Sequence, residues 1–206
     1  MKKAIKPRLH RKDFIIDVVN HFGFKSYLEI GLRDRTSVFD HIPCKVKYSV
    51  DPDPKARAHY VGTSDAFFAQ PGIKNVKWDV IFIDACHLAA FVYNDIMNSL
   101  NHLNEGGVIF LHDVLPISYE HTTELTYCQT AWKVVPYILK YHEELRICSI
   151  AENTTGMGIV VRGVQDRKLD PEFNKFYDYY LMDKNRQLSQ NVIQYSQMLS
   201  WIKGTP

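Results

Sequence analysis

Apolar runs of strand length alternate with amphipathic segments of helix length along most of the chain. Residues 13–22 repeat apolar side chains at helical spacing and precede Gly23, which predicts a helix that ends at this glycine. The runs SYLEIG (26–31), VKYSVDPDP (46–54) and WDVIFIDA (78–85) predict buried strands, with a short further strand around Tyr60 and Val61. TSVFDHI (36–42) and residues 87–107, which close on a glycine pair, predict helices between them. This alternation is typical of a parallel sheet covered by helices on both faces.

From residue 108 onward, in nearly half of the chain, the pattern is different. VIFLHDVLP (108–116) predicts another buried strand, and residues 130–142 predict a helix interrupted at Pro136. LRICSIAE (145–152) and GMGIVVRG (156–163), joined by an Asn-Thr-Thr-Gly turn, predict an antiparallel hairpin. Residues 170–203 are polar, aromatic and helix-compatible, which fits a packing arm, a lid or an oligomer contact equally well. We therefore expect a leader with a first helix over residues 1–24, a three-layer α/β domain over 25–163, and a helical extension over 164–206 that packs on the same domain.

Composition narrows the class of protein without identifying a substrate. The chain has 206 residues, 46% of them hydrophobic, and 25 Lys+Arg against 23 Asp+Glu give a net charge of +2. This length suits one globular domain, and the balanced charge favours neither a nucleic-acid nor a membrane partner. The four cysteines form no C-x-x-C pair, and the basic N-terminus has no apolar run of the kind found in secretion signals. These features predict a cytoplasmic protein without a membrane span.

The carboxyl ends of the predicted strands carry an unusual number of acids and histidines. In an open parallel sheet, ligands bind beyond these ends, so residues there are candidates for chemistry. Asp51 follows Gly31 by 20 positions, which suits an acid that accepts hydrogen bonds from a ribose diol. An alternative is that Asp51-Pro52-Asp53-Pro54 is only a turn at the strand exit. The loop after the first strand has one glycine, Gly31, where a dinucleotide loop needs three, and this disfavours a nucleotide-dependent oxidoreductase.

Two of these strand ends predict a cation site or a catalytic histidine. Asp84 and Asp113 close strands expected to be neighbours, and with His112 they offer oxygen and imidazole ligands suited to Mg²⁺ or Mn²⁺. A helix cap or a satisfied pair would explain His112 and Asp113 equally well. His87, three residues past Asp84, is placed to take a proton from a substrate hydroxyl or amine, although it could simply cap the following helix.

Taken together, YLEIG, YSVDPDP, SDAFFA, WDVIFIDACH, LNEGGVIFLHDVLP, TAWK and GMGIVVRG resemble the class I S-adenosylmethionine-dependent methyltransferase families over residues 25–163. The most specific part is the I-D-x-x-H strand end, the following helix, the Asn-Glu-Gly-Gly turn and the strand that closes in His-Asp. Relatives with this pattern resemble O-methyltransferases of sugars and secondary metabolites. The resemblance implies a Rossmann-like fold with a mostly parallel seven-stranded sheet and a C-terminal antiparallel hairpin.

The same resemblance implies a role for each strand-end residue. Glu29 and Gly31 would line the methionine and ribose part of S-adenosylmethionine, with Asp51 on the ribose diol. Ser64 and Asp65 would lie near the adenine. Asp84 would lie below the sulfonium. Catalysis would involve Asp84, His87 and Asp113, and a metal would be held by Asp84, Asp113 and His112. Arg33 and Arg35, where a second glycine is usual, and Ala85-Cys86 before His87 depart from the family pattern.

The sequence therefore predicts a transferase that methylates a hydroxyl of a small molecule or saccharide, with assistance from a divalent metal. A degenerate methyltransferase fold acting as an interaction module is the non-enzymatic alternative, with the C-terminal extension as its contact surface. The same extension is the candidate contact for a homo-oligomer.

Overall fold

A computed structural model describes residues 9–152, 155–165 and 173–204 of the chain. In these ranges a single mixed sheet is flanked by helices on both faces. Its strands are β1 (Ser26–Ile30), β2 (Val46–Asp51), β3 (Tyr60–Val61), β4 (Trp78–Ile83), β5 (Leu103–His112), β6 (Leu145–Ile150), β7 (Met157–Arg162) and β8 (Val192–Ile193). The α-helices are α1 (Arg11–Phe22), α2 (Ser64–Phe68), α3 (Ala89–Asn101), α4 (Val134–Tyr141), α5 (Tyr179–Lys184), α6 (Arg186–Ser189) and α7 (Met198–Lys203).

The sheet order explains where a ligand can bind. The strands lie in the order β3-β2-β1-β4-β5-β7-β6-β8, and β1 to β5 are parallel, whereas β7 is antiparallel to both β5 and β6. The chain starts at β1 in the middle, builds outward to β3, and then returns to β4 on the other side of β1. Because the connections after β1 and β4 diverge, a crevice opens at the carboxyl ends of these two strands. The predicted fold class, including the antiparallel hairpin, is confirmed.

The central strands are apolar throughout because both of their faces are covered. On β4, Ile81 and Ile83 point into one core layer with α3 and α4, while Val80 and Phe82 point into the other with α1. All four are at most 2% exposed. This two-sided burial holds the ends of the strands in place, and it therefore also positions the residues that directly follow the strands.

Helix α1 is defined by caps at both ends. The carboxylate of Asp13 accepts a hydrogen bond from the backbone N–H of His10 at 2.8 Å, and Gly23 ends the helix in the left-handed conformation. Phe14, Ile15 and Val18 are fully buried against the sheet. The caps and the packing fix the first turn of α1 above the carboxyl edge of the sheet.

The helix predicted over residues 36–42 is wrong. Only Phe39–His41 forms a single 3₁₀ turn there. Asp34 accepts hydrogen bonds from the backbone and hydroxyl of Thr36, which favours a turn over a helix start. At the other end, Ile42 is extended (φ −73°, ψ 122°) because it precedes Pro43. The space between these two constraints is too short for an α-helix.

The helix predicted over residues 87–107 is also too long. It begins at Ala89 and ends at Asn101, and β5 already begins at Leu103. The backbone N–H of Trp78 donates to the carbonyl of His102 at 2.8 Å, so pairing with β4 already begins at this point and the helix cannot continue. The Asn-Glu-Gly-Gly segment lies within the strand, where a register shift and the positive φ of Gly106 (+71°) mark an irregularity.

Pro136 does not interrupt its helix as predicted. It is the third residue of α4, where a missing N–H costs little. The carbonyl of Trp132, four residues earlier, accepts instead from Nε2 of the buried Gln190 at 3.3 Å. Residues 153 and 154 of the predicted hairpin turn lie outside the described residues, as do residues 1–8 of the leader.

The C-terminal extension adds an eighth strand to the seven that the sequence predicts. β8 pairs in parallel with β6, with Ser149 opposite Val192. Met198 at the start of α7 is buried in the core layer that contains α1. Among the described residues, no helix combines the length and the apolar character needed to cross a bilayer.

Candidate active site

A cleft of about 850 Å³ opens where β1, β2, β4 and β5 end. Of the residues predicted for the site, the following line it: Glu29, Gly31, Asp51, Asp84, His87, His112 and Asp113. These residues are spread over more than eighty positions of sequence. The parallel strands bring them together because each strand delivers its last residue to the same edge.

The turn after β1 brings two strands' backbones into contact. Gly31 has a φ of +86°, and a Cβ there would overlap the carbonyl of Asp84 and the backbone of Ala85. Only glycine combines that φ with that close approach at no cost. The N–H of Gly31 bonds to Val50 O at 2.9 Å, and the N–H of Asp84 bonds to Ile30 O at 2.9 Å. The floor of the cleft is therefore a continuous piece of sheet.

Asp51 is held by the loops around it. Its carboxylate accepts hydrogen bonds from the backbone N–H of Arg33 and of Asp53, both at 2.8 Å, and it is 7% exposed. Both oxygens keep a further lone pair, because each carboxylate oxygen can accept more than one bond. The turn that the sequence suggested and the ligand-facing acid are therefore compatible: the same carboxylate closes the turn and faces the cleft.

Four side chains at the ends of β4 and β5, which we call the acid–histidine cluster, converge in the cleft: Asp84, His87, His112 and Asp113. His112 Nδ1 lies 3.2 Å from Asp84 Oδ1 and 3.1 Å from Asp113 Oδ2. His87 Nε2 lies 3.7 Å from Asp84 Oδ1 and 3.3 Å from Asp113 Oδ2. Each histidine thus faces both carboxylates. Asp113 reaches this position with a left-handed backbone (φ +59°), which aspartate tolerates better than most residues.

The electrostatics of the acid–histidine cluster favour charge separation within it. Burial acts to lower the pKa of His112, but Asp84 and Asp113 outweigh it and raise the pKa to about 10. Burial likewise opposes ionisation of Asp84, yet His112, His87 and Arg11 hold its pKa well below the usual range. His87 also has a raised pKa, because its two carboxylate neighbours overcome the effect of burial. Asp84 is therefore ionised at neutral pH.

His87 is oriented by a loop far away in sequence. Its Nδ1 lies 2.5 Å from the backbone carbonyl oxygen of Tyr127. A carbonyl only accepts, so Nδ1 carries a proton and Nε2 faces the two carboxylates. His87 does not cap α3, since the helix has no side-chain cap and its first N–H, from Ala89, bonds to Thr130 Oγ1 at 2.9 Å. The capping alternative for His87 is excluded.

Glu29 forms the deepest polar pair in the cleft. It is 2% exposed, and its Oε2 accepts a hydrogen bond of 2.6 Å from the hydroxyl of Tyr27, which is fully buried. Burial raises the pKa of Glu29 to about 8, although the Tyr27 hydroxyl partly counteracts it. Glu29 is thus a neutral acid at pH 7 that a nearby cation can ionise.

Ser64 and Asp65 do not line the cleft. They begin α2, and their side chains bond to α3: the Ser64 hydroxyl donates to Asp95 at 2.5 Å, and Asp65 accepts from Asn98 at 3.0 Å and from Asn94. These bonds tie α2 to α3. The proximity of Ser64 and Asp65 to an adenine stays a prediction.

The structure adds a site residue that the sequence did not indicate. Arg11, at the start of α1, lines the cleft, and its Nη1 lies 3.0 Å from Asp84 Oδ2. No local motif marks Arg11, because its partner is more than seventy positions away. The basic N-terminal segment indicates that a positive charge could come from this part of the chain. Only the packing of α1 shows that Arg11 supplies it.

Among the described residues, Asp84, His87 and Asp113 each offer a ligand atom within 4.8 Å of the others, a spacing that could hold a cation. The predicted metal set of Asp84, His112 and Asp113 stays a prediction.

The comparisons with known proteins agree with the architecture. Residues 35–114 match a family model described as a methyltransferase domain, whereas no curated protein matches the sequence. Among solved structures, the O-methyltransferase from Bacillus cereus in complex with SAH is 15% identical, with a TM-score of 0.54, covering 79% of this chain and 84% of that one.

Two further solved structures show the same likeness. The O-methyltransferase TomG from Streptomyces achromogenes in complex with SAM is 12% identical, with a TM-score of 0.51, covering 74% of this chain and 79% of that one. The SAH-bound methyltransferase PaMTH1 from Podospora anserina is 14% identical, with a TM-score of 0.53, covering 74% and 78%. At these identities the likeness shows a shared fold. The chain therefore has the fold of these methyltransferases, and its residues 35–114 match a methyltransferase domain.

Proposed function

We propose that the protein transfers the methyl group of S-adenosylmethionine to a hydroxyl oxygen of a small-molecule or saccharide acceptor. The observation that carries this proposal is the opening of the acid–histidine cluster into the same cleft as Gly31 and Asp51. One end of the cleft thus offers groups for a nucleoside, and the other offers groups that can bind and deprotonate a hydroxyl. Two of the solved structures with this fold, one holding SAH and one holding SAM, are described as O-methyltransferases, which supports the same conclusion.

The cofactor-binding side uses residues of β1 and β2. The free lone pairs of Asp51 suit the two hydroxyls of a ribose, and the glycine backbone at position 31 lets the ligand approach closely. Glu29 suits the α-ammonium group of the methionine part, because an adjacent cation would convert the buried neutral acid to a carboxylate. The expected adenine contact by Ser64 and Asp65 would require their bonds to α3 to rearrange.

The acid–histidine cluster fits a divalent cation by its donor chemistry and spacing. Neighbouring ligands around an octahedral ion at about 2.1 Å lie roughly 3.0 Å apart, and tetrahedral ones roughly 3.4 Å. The distances from the two histidines to Asp84 and Asp113 run from 3.1 to 3.7 Å. Asp84, His87 and Asp113 would hold the ion, with His112 beside them. A bound cation would supply Lewis acidity that lowers the pKa of the acceptor hydroxyl.

When no cation is bound, His87 is the residue of this chain best placed to accept a proton. Its Nδ1 is bonded to the Tyr127 carbonyl, so Nε2 is the only nitrogen that can either bind the cation or take up a proton from the cleft. Asp84 and Asp113 would stabilise the imidazolium formed. The remaining requirement of methyl transfer is alignment of the acceptor oxygen with the methyl carbon, which a rigid cleft between two strand ends provides.

Thermal unfolding with and without ligands tests this function. SAH at about 100 times its Kd should stabilise the protein by roughly 2.7 kcal/mol, which for a domain of this size raises Tm by roughly 5 to 11 °C. Asp51→Ala should abolish the shift, whereas Asp40→Ala, which removes an exposed carboxylate outside the cleft, should retain it. Repetition with Mn²⁺ and with a chelator tests the cation separately. The absence of any SAH shift would refute the methyltransferase proposal and favour an interaction module.

A further inference from the structure

Arg11 brings a positive charge into the cleft from outside the sheet. It is the first residue of α1, capped by His10, and the residue before the cap is held by a backbone bond from Leu9 N to Glu152 O at 3.2 Å. The side chain is 26% exposed and lines the cleft. The backbone that carries Arg11 is therefore held on both sides, and the side chain is partly buried and paired with Asp84.

The guanidinium of Arg11 has hydrogen-bond donors beyond the one that faces Asp84. Arginine carries five N–H donors, and Nη1 is the group that faces Asp84. Its Nε is buried and has no hydrogen-bond partner among the described residues. A buried donor without a partner is unfavourable, so a ligand that accepts from Nε would gain affinity. Asp84, by contrast, already has both histidines of the acid–histidine cluster within 4 Å.

Arg11 lines the same cleft as Glu29 and as Asp34 in the loop after β1. Its positive charge lowers the pKa of Asp34 and favours the ionised forms of Glu29 and Asp84. A buried acid and a guanidinium therefore line one cleft. The amino-acid end of S-adenosylmethionine carries an ammonium and a carboxylate on the same carbon, and these two charges match that pair in sign.

We propose that Arg11 binds the α-carboxylate of the cofactor's methionine part while Glu29 receives its ammonium group. This inference rests on the function proposed above. Arginine suits the task because its planar fork presents two parallel N–H donors to a carboxylate. Helix α1 is then part of the cofactor site and not only a cover for the sheet. An acidic group on the acceptor is the other source of a carboxylate, and it is an outcome of the test.

Calorimetric titration with two ligands tests the proposal. The ligands are SAH and decarboxylated SAH, which keeps the amine and lacks only the carboxylate. Wild-type protein should bind SAH more tightly than its decarboxylated form. Arg11→Met should weaken SAH binding by about 10- to 100-fold, as expected for one charge-assisted hydrogen bond or pair. The same variant should leave the binding of decarboxylated SAH nearly unchanged, which also shows that it is folded.

Control variants separate the alternatives. Arg11→Lys should bind SAH with intermediate affinity, and Arg35→Met, which removes an arginine paired with Asp40 outside the cleft, should behave as wild type. If Arg11→Met weakens both ligands equally, Arg11 acts through Asp84 or the fold, and the proposal is overturned. If it weakens neither, the carboxylate partner is not the cofactor's, and the proposal is likewise overturned. If wild-type protein binds neither ligand, the proposed function itself fails.

Discussion

Gly31 packs directly against the backbone of Asp84, so that the turn after β1 and the end of β4 share one wall of the cleft. No side chain fits between them. The cofactor side and the acceptor side of the cleft are thus joined by a backbone contact, and a substitution of Gly31 should disturb both sides.

Gly31→Ala should destabilise the protein strongly and abolish SAH binding. The methyl group would overlap the Asp84 carbonyl and also require a left-handed backbone, and together these should cost about 3 kcal/mol or more. Gly23→Ala is the matched control. Gly23 has a similar φ of +68°, but a Cβ there would meet nothing within 4 Å, so its cost should be about 1 kcal/mol. Urea unfolding of both variants measures the difference, and equal destabilisation would contradict the packing argument.

Glu29→Gln should make the protein more stable, by an amount that grows with pH. Glu29 has a folded-state pKa of about 8 against an ordinary value of 4.5, so between these values the folded protein holds a proton that the unfolded chain has lost. The contribution of Glu29 to the free energy of unfolding of the wild-type protein is therefore largest below about pH 4.5. It falls as the pH rises towards 8, by up to about 1.4 kcal/mol per pH unit. The amide that replaces the carboxyl group does not titrate. Chemical unfolding at pH 5 and pH 8 measures the change, with Glu105→Gln, at an exposed strand position, as the control.

Binding of SAH near pH 7 should release about one proton, because the cofactor's ammonium ionises the neutral Glu29. Calorimetric titrations in two buffers with different ionisation enthalpies measure the number of protons. Glu29→Gln should reduce the release to near zero while weakening binding. Proton uptake by wild-type protein, or release that persists in Glu29→Gln, would show that another group titrates.

Asp113→Asn should weaken Mn²⁺ binding at least about 10-fold, since loss of a charged ligand costs no less than loss of a supporting hydrogen bond around a metal. Electron paramagnetic resonance of free Mn²⁺ measures the affinity directly. Asp40→Asn removes a carboxylate that is paired with Arg35 on the surface and should have no effect. Unchanged Mn²⁺ affinity in Asp113→Asn would rule out this cation site.

The sequence predicts the strand ends well because buried parallel strands have a simple signature. β4 is apolar at every buried position, so its last residue could be located, and with it Asp84. The same holds for β5 and His112. Helices were less predictable, because proline and Asx-turn effects at Ile42 and Asp34 override the apolar spacing of residues 36–42.

Contacts between distant segments could not be predicted from one sequence. Arg11 meets Asp84, and His87 meets the Tyr127 carbonyl, only because helices and loops cross the sheet edge in three dimensions. The sequence likewise gives no sign that the Ser64 hydroxyl bonds to the buried Asp95 on α3. In each case the local sequence pattern does not indicate which group the residue contacts, because that contact depends on how distant segments pack.

The short strand β8 also determines which parts of the chain can be removed. Asn191 and β8 cover the outer edge of β6: Asn191 Nδ2 donates to Ile147 O at 2.7 Å, and Ser149 N donates to Asn191 O at 3.4 Å. An uncovered edge strand offers free N–H and C=O groups to neighbouring molecules. Truncation after β7 would remove no residue that lines the cleft, yet it would expose this edge. The C-terminal segment therefore protects the protein against edge-to-edge aggregation, a property that no assay of the cleft would reveal.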